Sequence, residues 1–97
     1  MPTYIVLTNW TDQGIRTVKE SPKRLDATKK AIEAAGGKVL GYYLTMGRYD
    51  SVLIVEGPGD EVAATLALSA GSQGSIRTET LKAFPEAEYR KIIANIP

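Results

Sequence analysis

The stretch that decides the fold is KVLGYYLTMGRYDSVLIVE, residues 38–56 of the chain. It contains two runs typical of β-strands, Lys38–Met46 and Asp50–Glu56, and only Gly47-Arg48-Tyr49 separates them. A glycine-containing connection of this length predicts a β-hairpin, so we expect the two strands to be antiparallel neighbours. The second run has the apolar centre VLIV, which is typical of a strand that is covered on both faces.

The chain before the hairpin predicts one more strand and a helix. Thr3–Thr8 (TYIVLT) is short, apolar and rich in β-branched residues, which favours a strand. Thr11 is expected to cap a short helical turn, and Ser21-Pro22 to provide the N-cap and first position of a longer helix. Gly36-Gly37 should end that helix in a left-handed cap. Its inward-facing positions follow helical spacing: Leu25, Thr28, Ile32 and Ala35.

The chain after the hairpin repeats the pattern and adds a third helix. Gly57-Pro58-Gly59 breaks the strand, and Asp60-Glu61 opens a helix whose inner stripe is Val62, Leu66 and Ala70. Ser75–Phe84 predicts a fourth strand, after which Pro85 starts a C-terminal helix. The apolar residues of that last helix share one side: Tyr89, Ile92, Ile93 and Ile96.

The resulting βαββαβ order predicts an α+β, ferredoxin-like fold with a four-stranded antiparallel sheet and an extra C-terminal helix. In this topology strands 1 and 3 are central, strands 2 and 4 are edges, and both main helices lie on one face of the sheet. The two central strands are nevertheless apolar on both faces. A second copy should therefore cover the face that the helices leave open, which gives a dimeric α/β barrel.

Composition limits the function classes. The 97 residues are expected to form a single domain, 1–97, and a net charge of +1 without a basic stripe argues against nucleic acid and membrane partners. No secretory leader or long apolar run is present, so we expect a cytoplasmic protein. Without cysteine or histidine there are no disulfides, thiolate nucleophiles or Cys/His zinc sites, and we expect neither metal nor cofactor.

Three groups of residues are candidates for ligand contact. The hairpin residues Arg48, Tyr49 and Asp50 either contact a polar ligand or only build the turn, in which case Gly47 has a positive φ and Asp50 accepts backbone N–H groups. Arg77 and Glu79 share one face of strand 4. Three interpretations remain open: the pair orients a ligand at the barrel mouth, Glu79 acts as a general base, or the two charges protect an exposed edge.

The third group consists of polar-tipped aromatic residues. Tyr42 and Tyr43 are adjacent on a strand and must face opposite sides of the sheet, so at most one of them enters a given cavity. The other packs in the core or at an interface, and Trp10 can pack in the same way. Lys23 and Arg24 lie in the first turn of a helix, where they either bind an anion such as phosphate or form a solvated surface.

Three sets of residues form a pattern that covers nearly the whole chain: Gly47-Arg48-Tyr49-Asp50; Ile76–Phe84; and Tyr4–Leu7 with Thr11-Asp12-Gln13-Gly14 and Lys23-Arg24. In this pattern the chain resembles the GYD domain family, named for its Gly-Tyr-Asp residues. The resemblance implies a dimeric α/β barrel and brings no assigned reaction. The chain is more distantly similar to the ligand-binding domain of leucine-responsive, or feast/famine, regulators, but it lacks their DNA-binding helix-turn-helix.

From these features we expect a homodimer or larger homo-oligomer that binds a small metabolite in or beside the inter-subunit barrel. The candidate contacts are Tyr42, Tyr43, Arg48, Tyr49, Asp50, Arg77 and Glu79. One alternative is a cofactor-independent enzyme, of oxygenase or isomerase type, that acts on an apolar ring through a Tyr or Glu side chain. Another is a structural assembly module whose barrel interior is filled by side chains.

Overall fold

Four strands form one antiparallel sheet in the computed structural model, which describes residues 1–97. The sheet has the order β2-β3-β1-β4, so the prediction that the first and third strands are central is confirmed, and so is the ferredoxin-like α+β fold. The strands are β1 (Thr3–Trp10), β2 (Lys38–Leu44), β3 (Ser51–Glu56) and β4 (Ile76–Ala83).

The helices follow the predicted order, with one short addition near the N-terminus. A single 3₁₀ turn, Val18–Glu20, joins the first helix to the second. Gly36 has a φ of 93° directly after the second helix, which confirms the predicted left-handed cap. The helices are α1 (Asp12–Arg16), α2 (Ser21–Ala34), α3 (Asp60–Ser72) and α4 (Glu86–Ala94).

Several predicted boundaries were wrong by short distances: β1 runs two residues further than predicted, and β4 is one residue shorter at each end. The β2–β3 connection spans residues 45–50 rather than three residues, because Thr45 N–H donates to the Asp50 carbonyl at 2.9 Å and closes a wider loop. Gly47 has a φ of 127° in that loop, as predicted. Ser21 is not the N-cap of α2: it already has helical φ and ψ, because the 3₁₀ turn leads directly into the helix and Glu20 takes the cap position.

The two faces of the sheet have different surroundings. The inner face carries Tyr4, Val6 and Thr8 of β1 and lies under α2 and α3. The buried core consists of two of its residues from β3, Leu53 and Val55, together with Tyr4 and with Ile32 from α2. The outer face has no covering element within the chain. Its apolar residues are only half-buried or exposed: Ile5, Leu7, Tyr43, Val52, Ile54 and Leu81.

Helix α4 extends away from the rest of the molecule. It follows β4 after only Phe84 and Pro85, and every residue from Phe84 to Pro97 is exposed. The molecule is correspondingly elongated, with extents of 51 × 31 × 19 Å. None of the helices combines the length and the apolar character needed to traverse a bilayer.

Candidate functional site

A cavity of about 380 Å³ lies between the inner face and helices α2 and α3. Its helical walls consist largely of small side chains, which leave space where larger residues would fill a core. Both helices contribute to these walls, and Val6 and Leu53 form part of the floor. The small residues are Ala27, Ala31, Ala63, Ala67 and Ala70.

A row of hydroxyl groups crosses the floor of the cavity. Thr8 on β1 is paired with Ser51 on β3 and with Thr78 on β4, so the three side chains lie side by side on the inner face. Adjacent strands are about 4.8 Å apart, so the row spans roughly 10 Å. Thr8, Ser51 and the nearby Ser75 are only 9, 4 and 8% exposed.

These deeply placed hydroxyls are open to the cavity. Every fully buried polar side-chain atom has a hydrogen-bond partner. Thr8, Ser51 and Ser75 all line the cavity wall. Each hydroxyl can donate and accept a hydrogen bond. A molecule in the cavity therefore meets a polar strip on the floor and a mostly apolar lining elsewhere, with Lys23 and Arg24 among the lining residues of α2.

Three aromatic residues, Tyr4, Trp10 and Tyr42, line the same cavity. Tyr42 reaches it from β2, where it is paired with Leu53, and Trp10 reaches it from the end of β1. Tyr43 lies on the outer face and is 59% exposed. The prediction that the adjacent tyrosines face opposite sides is confirmed, and Tyr42 is the one that lines the cavity.

Asp50 supports the backbone beside the cavity rather than lining it. Its Oδ2 accepts the Trp10 N–H at 3.0 Å, and its own N–H donates to the Thr8 carbonyl at 2.8 Å. The carboxylate thus ties the hairpin to the end of β1, where Thr8 and Trp10 enter the cavity. This matches the turn interpretation of Asp50. Arg48 is exposed in the loop.

Tyr49 and Glu79 meet on the other side of the sheet. The Tyr49 hydroxyl donates to Glu79 Oε1 at 3.1 Å, and Arg77 is exposed two residues earlier on the same face of β4. The structure therefore divides the predicted contact residues. Tyr42 lies in the cavity, whereas Tyr43, Tyr49, Arg77 and Glu79 belong to the outer face or its end.

The segment around Gly14 fixes one end of the cavity, and the sequence analysis missed its role. A side chain at Gly14 would place its Cβ 1.9 Å from the Ser75 carbonyl oxygen, so only glycine permits this approach. Thr11 N–H donates to the same carbonyl at 3.1 Å, and the Thr11 hydroxyl donates to the Gly74 carbonyl. The signal was present in the sequence as a glycine shortly after the capping threonine.

Near the other end, Tyr4 lines the cavity and forms a cluster with Asp60 and Lys82. The Tyr4 hydroxyl donates to the Asp60 carboxylate, which Lys82 Nζ also contacts at 3.2 Å. The hydrogen bond to Asp60, followed by burial and the carboxylate charge, raises the pKa of Tyr4 to about 12. The hydrogen bonds from Tyr4 and then Lys82 hold the pKa of Asp60 below its ordinary value. This cluster anchors α3 to the sheet.

The predicted anion site at the start of α2 has contacts of its own. Arg24 donates to the Thr17 hydroxyl at 3.2 Å and to the Thr17 and Gly14 carbonyls at 3.3 and 3.4 Å. Lys23 lies 3.8 Å from the Glu20 carboxylate on the surface. Arg24 thus ties α2 to the segment before it, which favours the structural interpretation.

Comparison with known families and proteins identifies relatives over nearly the whole chain. The family model described as GYD domain matches residues 4–93. A Thermus thermophilus protein named glutamine synthetase and cystathionine beta-lyase binding protein is 37% identical over 89 residues, which is 91% of this chain and 94% of that protein.

Two solved structures share the fold. The crystal structure of a protein designated FFRP aligns with a TM-score of 0.58 and 22% identity over 87% of this chain and all of the other. The crystal structure of TTHA0845 from Thermus thermophilus aligns with a TM-score of 0.55 and 28% identity over 88% of this chain and 95% of the other. Both support the ferredoxin-like architecture.

Proposed function

Since the chain belongs to the GYD domain family, whose model covers residues 4–93, we propose that it is a non-catalytic, homodimeric binding protein for a small metabolite. The metabolite occupies the cavity between the inner face and helices α2 and α3, beside the barrel rather than between subunits. The observation that carries this proposal is the cavity itself, with its floor of deeply placed hydroxyl groups.

The lining indicates the chemistry of the ligand. Fifteen of the 26 lining residues are hydrophobic, and the hydroxyls of Thr8, Ser51 and Thr78 are concentrated on the floor. The volume of about 380 Å³ is within the range of about 300 to 1,000 Å³ that small-molecule sites occupy. Lys23 and Arg24 also line the cavity, at the start of α2. Together these features suit a mostly apolar molecule, such as a ring, that carries one or two hydrogen-bonding groups.

The homodimer follows from the outer face. Ile5, Leu7, Val52 and Ile54 form the centre of that face, and no element of the same chain covers them. A second copy offers the same surface with the same twist, and the net charge of +1 gives little repulsion between copies. In this arrangement Tyr49, Arg77 and Glu79 lie at the end of the subunit contact.

The proposal is tested with 2-naphthol and naphthalene, which differ only in one hydroxyl group. We expect 2-naphthol to raise the Tm more than naphthalene does. Thr8→Val combined with Ser51→Ala should reduce the 2-naphthol shift to that of naphthalene, and Ala67→Leu should reduce both shifts by filling the cavity. Thr3→Val, the same kind of change on the outer face of β1, is the matched control.

Two results would contradict this site. One is that neither compound raises the Tm of the unaltered protein. The other is that the cavity variants, once shown by circular dichroism to be folded, respond to both compounds as the Thr3→Val control does.

A second candidate function is docking onto a larger enzyme. The observation that favours it is the Thermus thermophilus relative, whose name specifies binding to glutamine synthetase and cystathionine beta-lyase and whose length matches this chain almost completely. We expect the purified chain to co-elute with an enzyme of one of these two classes in size-exclusion chromatography. Independent elution of all components would overturn this second candidate and leave the cavity proposal intact.

A further inference from the structure

Helix α4 is an amphipathic helix without a covering partner in its own chain. Tyr89, Ile92 and Ile93 follow the spacing i, i+3 and i+4, Ile96 continues this stripe two residues past the end of the helix at Ala94, and each is between 45 and 63% exposed. The Glu86–Arg90 ion pair at 2.8 Å lies at one edge of this stripe, because Glu86 precedes Tyr89 by three residues, and Lys91 lies on the opposite side. An isolated helix of nine residues is unstable in water, so the apolar stripe requires a surface to pack against.

The connection to β4 directs α4 away from its own sheet. Only Phe84 and Pro85 lie between Ala83, the last residue of β4, and Glu86, and Pro85 is extended with φ −57° and ψ 159°. Proline fixes φ near this value, so the connection is short and stiff. The first turn of α4 lies beside Met1 and Pro2, whereas the apolar stripe beyond it is exposed.

The size of the outer face also favours a contribution from α4. Four strands spaced about 4.8 Å apart, each with about six paired residues that rise about 3.4 Å, cover a flat area of roughly 400 Å². Exchange of two nine-residue helices, each about 14 Å long and 10 Å wide, adds roughly 280 Å² of flat contact area on each copy. The enlarged contact is of the size of a stable interface, which buries about 600 to 1,000 Å² of accessible surface on each partner.

From these observations we propose that α4 is an exchanged arm, whose apolar stripe packs on the second copy of the chain and completes the dimer. The charges of α4 favour this occupant over a membrane surface. Glu86 and Glu88 balance Arg90 and Lys91, whereas helices that lie on membranes are rich in basic residues. The inference rests on the proposed homodimer, but not on the cavity ligand.

Hydrogen exchange of the unaltered protein, measured over a range of protein concentrations, tests the arm directly. We expect the amides of residues 86–94 to become protected at the concentration at which native mass spectrometry shows the dimer, because packing on the partner is what stabilises the helix. Exchange that is slow at every concentration would show that α4 is stable within one chain and would overturn the inference.

A pair of matched variants provides the second test. Ile92→Gln with Ile96→Gln removes apolar contacts without a change in charge, and we expect the dimer dissociation constant to rise about tenfold or more. Glu88→Gln with Lys91→Gln also leaves the net charge unchanged and should leave that constant near the unaltered value. Equal constants for the two variants would overturn the role of the stripe.

The outcomes separate the arm from the dimer. A protein that is dimeric but whose α4 amides remain unprotected would overturn the exchanged arm and leave the homodimer intact. A protein that is monomeric at all concentrations would overturn both. A shift from dimer to vesicle-bound monomer on mixing with phosphatidylcholine vesicles would identify a membrane surface as the occupant and overturn the proposal.

Discussion

The inner and outer faces of one sheet are built from alternate residues of the same strands, yet they differ in almost every property. The inner face combines buried apolar side chains with the hydroxyl row of Thr8, Ser51 and Thr78, and two helices cover it. The outer face is apolar at its centre, has the Tyr49–Glu79 hydrogen bond at one end, and is open. The same strands thus form one face that is covered and lines a cavity, and one apolar face that is uncovered.

The largest expected effect on stability comes from substitutions of Leu53 and Ile54, which are neighbours on β3 and face opposite sides of the sheet. Leu53→Ala leaves a hole in the buried core and should lower the free energy of unfolding by about 2–5 kcal/mol at any protein concentration. Ile54→Ala should have a comparable effect only at concentrations at which dimers form. Urea unfolding at a low protein concentration and at a concentration about 100-fold higher measures the free energy of unfolding of both variants. A loss for Ile54→Ala that is the same at both concentrations would contradict the proposed difference between the two faces.

Gly14→Ala should have the next largest effect. The added Cβ would overlap the Ser75 carbonyl oxygen, so the backbone at the end of the cavity has to move, at a cost of about 1–3 kcal/mol. Gly71→Ala is the control, because a Cβ there meets no atom within 4 Å. Thermal unfolding measures the Tm of both variants. Equal Tm values would show that the close approach of Gly14 to the Ser75 carbonyl does not affect stability.

Asp50→Ala should be moderately destabilising, by about 1–2 kcal/mol, because it removes the acceptor of the partly buried Trp10 N–H. Arg48→Ala changes an exposed loop residue and should alter stability by less than about 0.5 kcal/mol. Urea unfolding compares them. If Arg48→Ala instead abolishes the 2-naphthol shift, the hairpin takes part in the ligand site after all.

The smallest expected effect concerns pH, because the Asp60 end of the Tyr4–Asp60 pair is exposed to solvent. The raised pKa of Tyr4 contributes stability below its ordinary value of 10.0, and this is lost as the pH rises toward about 12. The lowered pKa of Asp60 contributes stability above its ordinary value of 3.8, and this is lost as the pH falls further.

Tyr4→Phe should therefore lower stability most between these two ordinary pKa values and progressively less outside them. Tyr49→Phe, which removes the tyrosine–carboxylate bond of the outer face, is the matched control. Chemical unfolding from about pH 3 to about pH 12 follows both variants. A loss for Tyr4→Phe that stays constant across this range would show that the hydroxyl acts through packing alone.

Much of the fold was predictable because it depends on local patterns. The alternation along β3, the stripe of α2, and the glycines at Gly36 and Gly47 each specify a conformation through steric and burial effects within a few residues. The boundary errors at Ser21 and Thr45 arose where a hydrogen bond or a turn just outside the element changed where it begins or ends.

The candidate site was predictable only in part. The placement of Tyr42 opposite Tyr43 follows from the pleat of a strand, and the structure places Tyr42 in the cavity. The hydroxyl row was missed because Thr8, Ser51 and Thr78 are far apart in sequence, and only the strand register brings them together. The partners of Asp50 and Tyr49, 40 and 30 residues away respectively, depend on the same long-range pairing.

The sequence by itself determined which segments become strands and helices, their order, and the presence of apolar residues on both faces of the central strands. Periodicity and turn chemistry are properties of residues that are close together in the chain, so they can be recognised in the sequence alone. Only the tertiary structure decided that the alanine-lined helices leave a cavity over the inner face and that α4 extends from the body. Both depend on distances between elements, which no local pattern specifies.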